Sequence, residues 1–151
     1  MRATLFTDGS CRSNPGPGGF GCLIRLNGRY KTVFGKEENT TNNRMELKAV
    51  IEGLKVLSKR KDCSTLDIVV VSDSTYITNG ITKWLPTWRS NNWINSVGNE
   101  ISNLDMWKEL NDLLVRFRSS TGQWVKGHNN HAENEFVNQV ASYESRSKDG
   151  L

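Results

Sequence analysis

Residues 3–21 constrain this chain more than any other stretch. Ala3, Thr4, Leu5, Phe6 and Thr7 read as a strand, yet Asp8 puts a carboxylate where an apolar run should continue. The following Asn14-Pro-Gly-Pro-Gly-Gly then reads as a loop. A buried carboxylate is costly unless something positive meets it. Asp8 therefore either closes the strand in a turn or belongs to a cluster of carboxylates around a cation. The local sequence leaves both open.

The next elements bring more carboxylates into consideration. Segments 20–26 and 30–34 have strand character, and Asn27-Gly28 between them is a hairpin signal, so three antiparallel strands open the fold. Asn43 stands as a helix N-cap, and Leu47, Val50, Ile51, Leu54 and Leu57 recur at helical spacing, with Lys55, Lys59, Arg60 and Lys61 toward the C-terminal end. In this frame Glu46 falls in the first turn, on the margin of the buried face. It could also close a capping box with Asn43. Segment 66–73 is a continuous β-branched run, as expected of a strand covered on both faces and reached by a parallel crossover beside the first strand. Asp73 then lies at that strand's C-terminal end, where open α/β sheets gather ligands, or caps a helix over 75–84.

Taken together, Asp8, Glu46 and Asp73 can converge. Clustered carboxylates repel unless cations neutralise them, and hard oxygen ligands select Mg²⁺ or Mn²⁺. Two such ions about 4 Å apart form the clamp used for in-line phosphodiester displacement.

Composition limits the alternatives. The chain has 151 residues, 36% hydrophobic and 24% charged, which suits a single domain over 1–151 with a frayed tail over 144–151. The longest apolar run, 68–71, is far below the ~20 residues of a membrane span, and no signal peptide opens the sequence, so a cytoplasmic protein without membrane association is expected. Cys11, Cys22 and Cys63 lack metal-ligand spacing and fit reduced thiols. A net charge of +4 permits a polyanionic partner without demanding one.

Five blocks in order carry a resemblance to a known family. They are Thr7-Asp-Gly-Ser-Cys with Asn14-Pro-Gly-Pro-Gly-Gly, Thr40-Thr-Asn-Asn-Arg-Met-Glu46, Ser72-Asp-Ser74, the tryptophan-bearing segment 84–107, and Trp124-Val-Lys-Gly-His128 with Glu133-Asn-Glu135. The chain resembles type 1 ribonuclease H, in particular the free-standing bacterial-type enzyme, which cuts the RNA strand of RNA–DNA hybrids. The resemblance implies an α/β fold with a mixed five-stranded sheet and helices on both faces. It also implies two Mg²⁺ ions, with Mn²⁺ as substitute, a hybrid duplex as partner, and a monomer.

It further implies roles residue by residue. Asp8, Glu46 and Asp73 match metal-binding carboxylates, and His128 matches a loop histidine that assists proton transfer or product departure. Ser10, Cys11, Asn14, Thr41, Asn42, Asn43 and Arg44 match the substrate-facing segments, where carboxamides suit a 2′-hydroxyl that both donates and accepts. Thr75 replaces a longer glutamine, which shortens one groove contact. Trp84 begins a helix-loop handle over 83–108 that embraces the DNA strand. Lys83, Arg89 and Lys108 there face Glu100 and Asp105, so its electrostatic grip should be weak. The tryptophans also suit a local aromatic cluster. Segment 103–117 reads as a packing helix, 123–126 as the last strand, and 132–143 as the last helix.

One departure matters most. The family's fourth carboxylate falls at Asn138, whose neutral amide oxygen is a weaker ligand for a hard dication. The sequence therefore predicts an attenuated nuclease, with a catalytically impaired hybrid-binding module as the alternative.

Overall fold

The structure is a computed structural model and describes residues 1–94, 101–127 and 131–146. Five strands form one mixed sheet in the order β3-β2-β1-β4-β5. They are β1 (Arg2–Cys11), β2 (Gly16–Leu26), β3 (Arg29–Thr40), β4 (Asp67–Ser72) and β5 (Ser119–Trp124). β1, β2 and β3 pair antiparallel, whereas β4 runs parallel to both β1 and β5. The hairpin turn sits at Asn27 and Gly28, both with positive φ (54° and 72°), the backbone that this dipeptide favours.

Parallel pairing of β1 with β4 requires a crossover, and α1 (Asn42–Ser58) supplies it. Its apolar spacing works as the sequence suggests: Leu47, Val50, Ile51, Leu54 and Leu57 are buried with Leu5, Ile68 and Val70 on one face of the sheet. Two further helices, α2 (Thr75–Asn79) and α3 (Leu85–Ser90), flank a π-helical turn at Gly80–Trp84, and α4 (Leu104–Leu114) packs beside α1. α5 (Ala132–Arg146) covers the opposite face, where Val137 joins Phe6, Leu23 and Val71. No helix among the described residues is long and apolar enough to cross a membrane.

Several local readings are corrected. The Asn-Pro-Gly stretch is a loop only briefly, because β2 begins at Gly16 and its glycines are strand residues. Their purpose is close packing: a Cβ on Gly19 would lie 2.5 Å from the Ser145 backbone nitrogen, and one on Gly21 would lie 2.9 Å from Val140. α5 thus lies directly on β2, and it continues through Glu144, Ser145 and Arg146, with Ser145 buried. The frayed tail therefore does not begin at 144, and residues 147–151 lie outside the described part. The N-cap of α1 is Thr41 and not Asn43, β5 occupies Ser119–Trp124 and not 123–126, and the helix expected over 75–84 gives way to the π turn at Gly80. Trp107 explains the glycine at that position, since its ring occupies the space that a Cβ on Gly80 would need.

Candidate active site

Strand β1 does not end at Asp8. The strand runs on to Cys11, with Asp8 opposite Gly21 and almost fully buried, so a turn does not account for the carboxylate. Gly9 follows it for a steric reason: a Cβ there would lie 2.4 Å from the Glu46 backbone nitrogen. The bare glycine lets the second turn of α1 lie against β1, which sets Glu46 beside Asp8. Asp73 immediately follows β4, the parallel neighbour of β1. One carboxylate oxygen from each of Asp8, Glu46 and Asp73 lies within 4.8 Å of the others.

Neither capping alternative survives. Thr41 Oγ1 accepts the Arg44 backbone N–H at 3.2 Å, so Glu46 sits beyond the capping positions of α1. Ser74 Oγ accepts the Ile77 N–H at 3.3 Å and caps α2, which frees the Asp73 side chain from that duty. Glu46 Oε2 is buried and has no hydrogen-bond partner among the described residues. An unpartnered buried carboxyl oxygen beside two more carboxyl groups is a donor set for a hard cation.

Asn138 reaches this cluster from α5. Its Nδ2 donates to Asp8 Oδ2 at 2.8 Å, so the last helix does approach the carboxylates and presents a donor to one of them. The family resemblance places Asn138 at this cluster, but its donation to Asp8 escapes sequence reading, because the two residues lie 130 positions apart.

Electrostatics follow from this crowding. Burial pushes the Asp8 carboxyl above its ordinary value and the charge of Asp73 adds to the shift, while hydrogen bonds with Glu46, Asn138 and the Gly9 N–H offset part of it. Burial also holds Glu46 well above the usual carboxylate range, with the negative charge of Asp8 as the next cause. Acids raised on folding favour the fold at low pH and penalise it as pH rises through their folded values. Without metal, Glu46→Gln is therefore expected to raise the melting temperature at pH 8. The gain should be about 2–4 °C for each ~1 kcal/mol of relieved repulsion at this chain size, shrinking toward pH 5. Thermal melts in chelator at both pH values check this.

The residues matched to substrate contact gather around the N-terminus of α1. Asn14 Oδ1 accepts the Asn42 N–H at 2.9 Å, which ties the loop after β1 to that helix end. The Cys11 Sγ lies within hydrogen-bond reach of the carbonyls of Ser13, Gly16 and Thr40, one of which takes its single proton, so the thiol braces the same loop. Asn42 and Asn43 are exposed there, Thr41 is half-buried as the cap, and Ser10 is half-buried opposite Gly19. Arg44 is occupied by a two-pronged pair with Asp105, at 3.1 and 3.0 Å, and by Asn103 at 3.3 Å.

Asn103 in turn donates to Tyr76 Oη, as does the Trp107 indole at 2.9 Å. Trp84, Trp88, Trp107 and Tyr76 form one aromatic cluster with ring centroids 5.4–6.3 Å apart. Trp84 thus sits half-buried within packing, whereas Thr75 is exposed at the start of α2. His128 and Glu100 lie outside the described residues. Trp124, at the end of β5, donates its indole N–H to the Asp73 carbonyl at 2.9 Å, a neighbour that the sequence gives no reason to pair with Asp73.

Comparison with known proteins shows the family and the fold. The family described as RNase H matches residues 1–146. Ribonuclease H of Hydrogenovibrio crunogenus is 47% identical over 138 residues, 91% of each chain. Ribonuclease H of Legionella pneumophila is 44% identical over 142 residues, covering 94% of this chain and 95% of the relative. Among solved structures, LC9-RNase H1, described as a type 1 RNase H with the type 2 active-site motif, superposes with a TM-score of 0.81 at 32% identity. The superposition covers 95% of this chain and 72% of that one.

Proposed function

The chain belongs to the RNase H family, and from that premise we propose that it hydrolyses the RNA strand of RNA–DNA hybrids by a two-metal mechanism, attenuated by Asn138. Ribonuclease H enzymes are hybrid nucleases that depend on divalent metal, and the acidic cluster of Asp8, Glu46 and Asp73 is the observation that carries the reading here. These three carboxylates would hold the ions, with Mg²⁺ the natural choice for an all-oxygen set and Mn²⁺ its substitute. Metal held by these residues would supply positive charge for activating a water and for stabilising a departing oxygen. Three carboxylates and one scissile phosphate carry four negative charges against four positive ones, so substrate helps to complete the site.

The chain's own groups do the rest. Asp8 is held by backbone pairing on β1, and Glu46 rides on the rigid α1, so two of the three ligands come pre-positioned. Asn14, Asn42 and Asn43 present amides at the N-terminus of α1, one turn before Glu46. Amides there can bond a ribose 2′-hydroxyl in both senses and so select RNA on the strand that reaches Asp8. Ser10, Cys11 and Thr41 shape the same floor, and Arg44 anchors it to α4 through Asp105. Thr75 and Trp84 would contact the substrate, and His128 would serve proton transfer or product departure, as the family resemblance implies. Hydrolysis leaves 5′-phosphate and 3′-hydroxyl ends.

The contact between Asn138 and Asp8 favours a second reading, a hybrid-binding module with impaired catalysis, because a neutral donor replaces a charged ligand. The relatives named Ribonuclease H, 47% and 44% identical to this chain, support the first reading. A cleavage assay on labelled hybrid, duplex DNA and duplex RNA, with Mg²⁺ and then Mn²⁺, decides. Cleavage confined to the RNA of the hybrid and stronger in Mn²⁺ is the expected result. Hybrid binding without cleavage in either metal would establish the binding module.

A further inference from the structure

Asp73 differs from the other two carboxylates in its support. Asp8 lies within a strand and Glu46 within a helix, whereas Asp73 occupies the short link between the end of β4 at Ser72 and the start of α2 at Thr75. A ligand on a link must be fixed by something outside its own element, or ordering it weakens every bond that it makes. We propose that Trp124 is a positioning residue for this site, its indole N–H holding the Asp73 backbone so that the carboxylate stays aimed at Asp8 and Glu46. The proposal rests on the reading of Asp73 as a metal ligand.

The geometry of the last ladder bonds supports this. Ser72 pairs with Trp124 in the parallel β4–β5 register, and the Val125 N–H donates to the Ser72 carbonyl at 3.0 Å. Beyond that point backbone pairing stops. The next carbonyl, that of Asp73, receives the Trp124 indole at 2.9 Å instead, so a side chain extends the ladder by one residue and stops at the ligand. Trp124 is also 52% exposed, so its ring contributes little to the core and its placement is explained by the bond it makes. The chain after β5 then returns to the same carboxylate: a Cβ on Gly127 would lie 3.0 Å from Asp73 Oδ2. Asp73 is thus held at its carbonyl by Trp124 and flanked at its carboxylate by Gly127.

Trp124→Phe keeps an aromatic ring and removes the donor. Mn²⁺ titration of the substrate-free protein by calorimetry should show affinity reduced at least threefold. kcat for hybrid cleavage should fall about five- to tenfold with KM unchanged, and the melting temperature should hold within a degree or two. Gly127→Ala, which presses on the same carboxylate from the other side, should lower Mn²⁺ affinity independently. In the Asp73→Asn background, Trp124→Phe should cause no further loss of Mn²⁺ affinity, because its effect runs through the missing ligand. If Asp73→Asn weakens Mn²⁺ binding but Trp124→Phe does not, or if Trp124→Phe lowers only the melting temperature, the positioning role is wrong and the metal site stands. If Asp73→Asn itself leaves Mn²⁺ binding unchanged, the ligand reading fails first.

Discussion

Asp73→Asn is expected to lower hybrid cleavage by at least a thousandfold, roughly 4 kcal/mol of transition-state stabilisation, while the protein stays folded. The site already carries a neutral Asn138 where the family resemblance places a fourth carboxylate. Loss of another charge leaves Asp8 and Glu46 alone to hold the metals, too little negative charge for two dications. The fold should tolerate the change for reasons visible in the structure. Ser74, not Asp73, caps α2, and the Trp124 indole bonds the Asp73 backbone carbonyl, which the substitution keeps. Loss of the Asp73 charge also removes a repulsion that adds to burial in pushing Asp8 and Glu46 up. Initial rates on labelled hybrid, with circular dichroism and a thermal melt as controls, make the measurement. A folded variant with a rate within tenfold of the parent would sink the metal-site assignment.

Asn138→Asp should move activity the other way, raising the Mg²⁺-supported rate at least tenfold and lowering the Mg²⁺ concentration needed for half-maximal rate. Each ~1.4 kcal/mol recovered in the transition state is worth a factor of ten, and a charged ligand binds a hard dication better than an amide does. The structure adds a second signature. Asn138 Nδ2 now donates to Asp8 Oδ2 at 2.8 Å, so a carboxylate in its place would set two like charges in contact. Without metal the variant should melt lower than the parent. Added Mg²⁺ should then raise its midpoint more than it raises the parent's, because ligand binding to the native state stabilises in proportion to affinity. Hybrid affinity measured without metal should change only slightly. An unchanged Mg²⁺ rate would mean that another group supplies the ligand.

Much of this site is legible in the chain itself. Asp8 interrupts an apolar strand, Leu47 to Leu57 recur at a helix period, and the β-branched run before Asp73 demands burial on both faces; each is a short-range pattern in one element. A strand, a crossover helix and a parallel strand in that order leave little freedom in topology, so the three carboxylates could be expected together before any distance was known. The five ordered motif blocks led to the same family independently.

What the sequence could not decide shares one physical character: the answer lay in a partner far along the chain. Thr40, Thr41, Asn42 and Asn43 are all able to cap a helix, and the choice of Thr41 goes with Asn14 binding the Asn42 N–H and Arg44 reaching Asp105. The glycines of β2 look like a loop because their reason for being strand residues is the backbone of α5 lying on them. The same helix brings Asn138 to Asp8, and the indole of Trp124 meets the carbonyl of Asp73 only once β4 and β5 are in register. Periodicity and residue chemistry thus determined which elements form and which carboxylates they carry. Close packing between layers, which depends on groups separated by tens of residues, decided how those carboxylates are held.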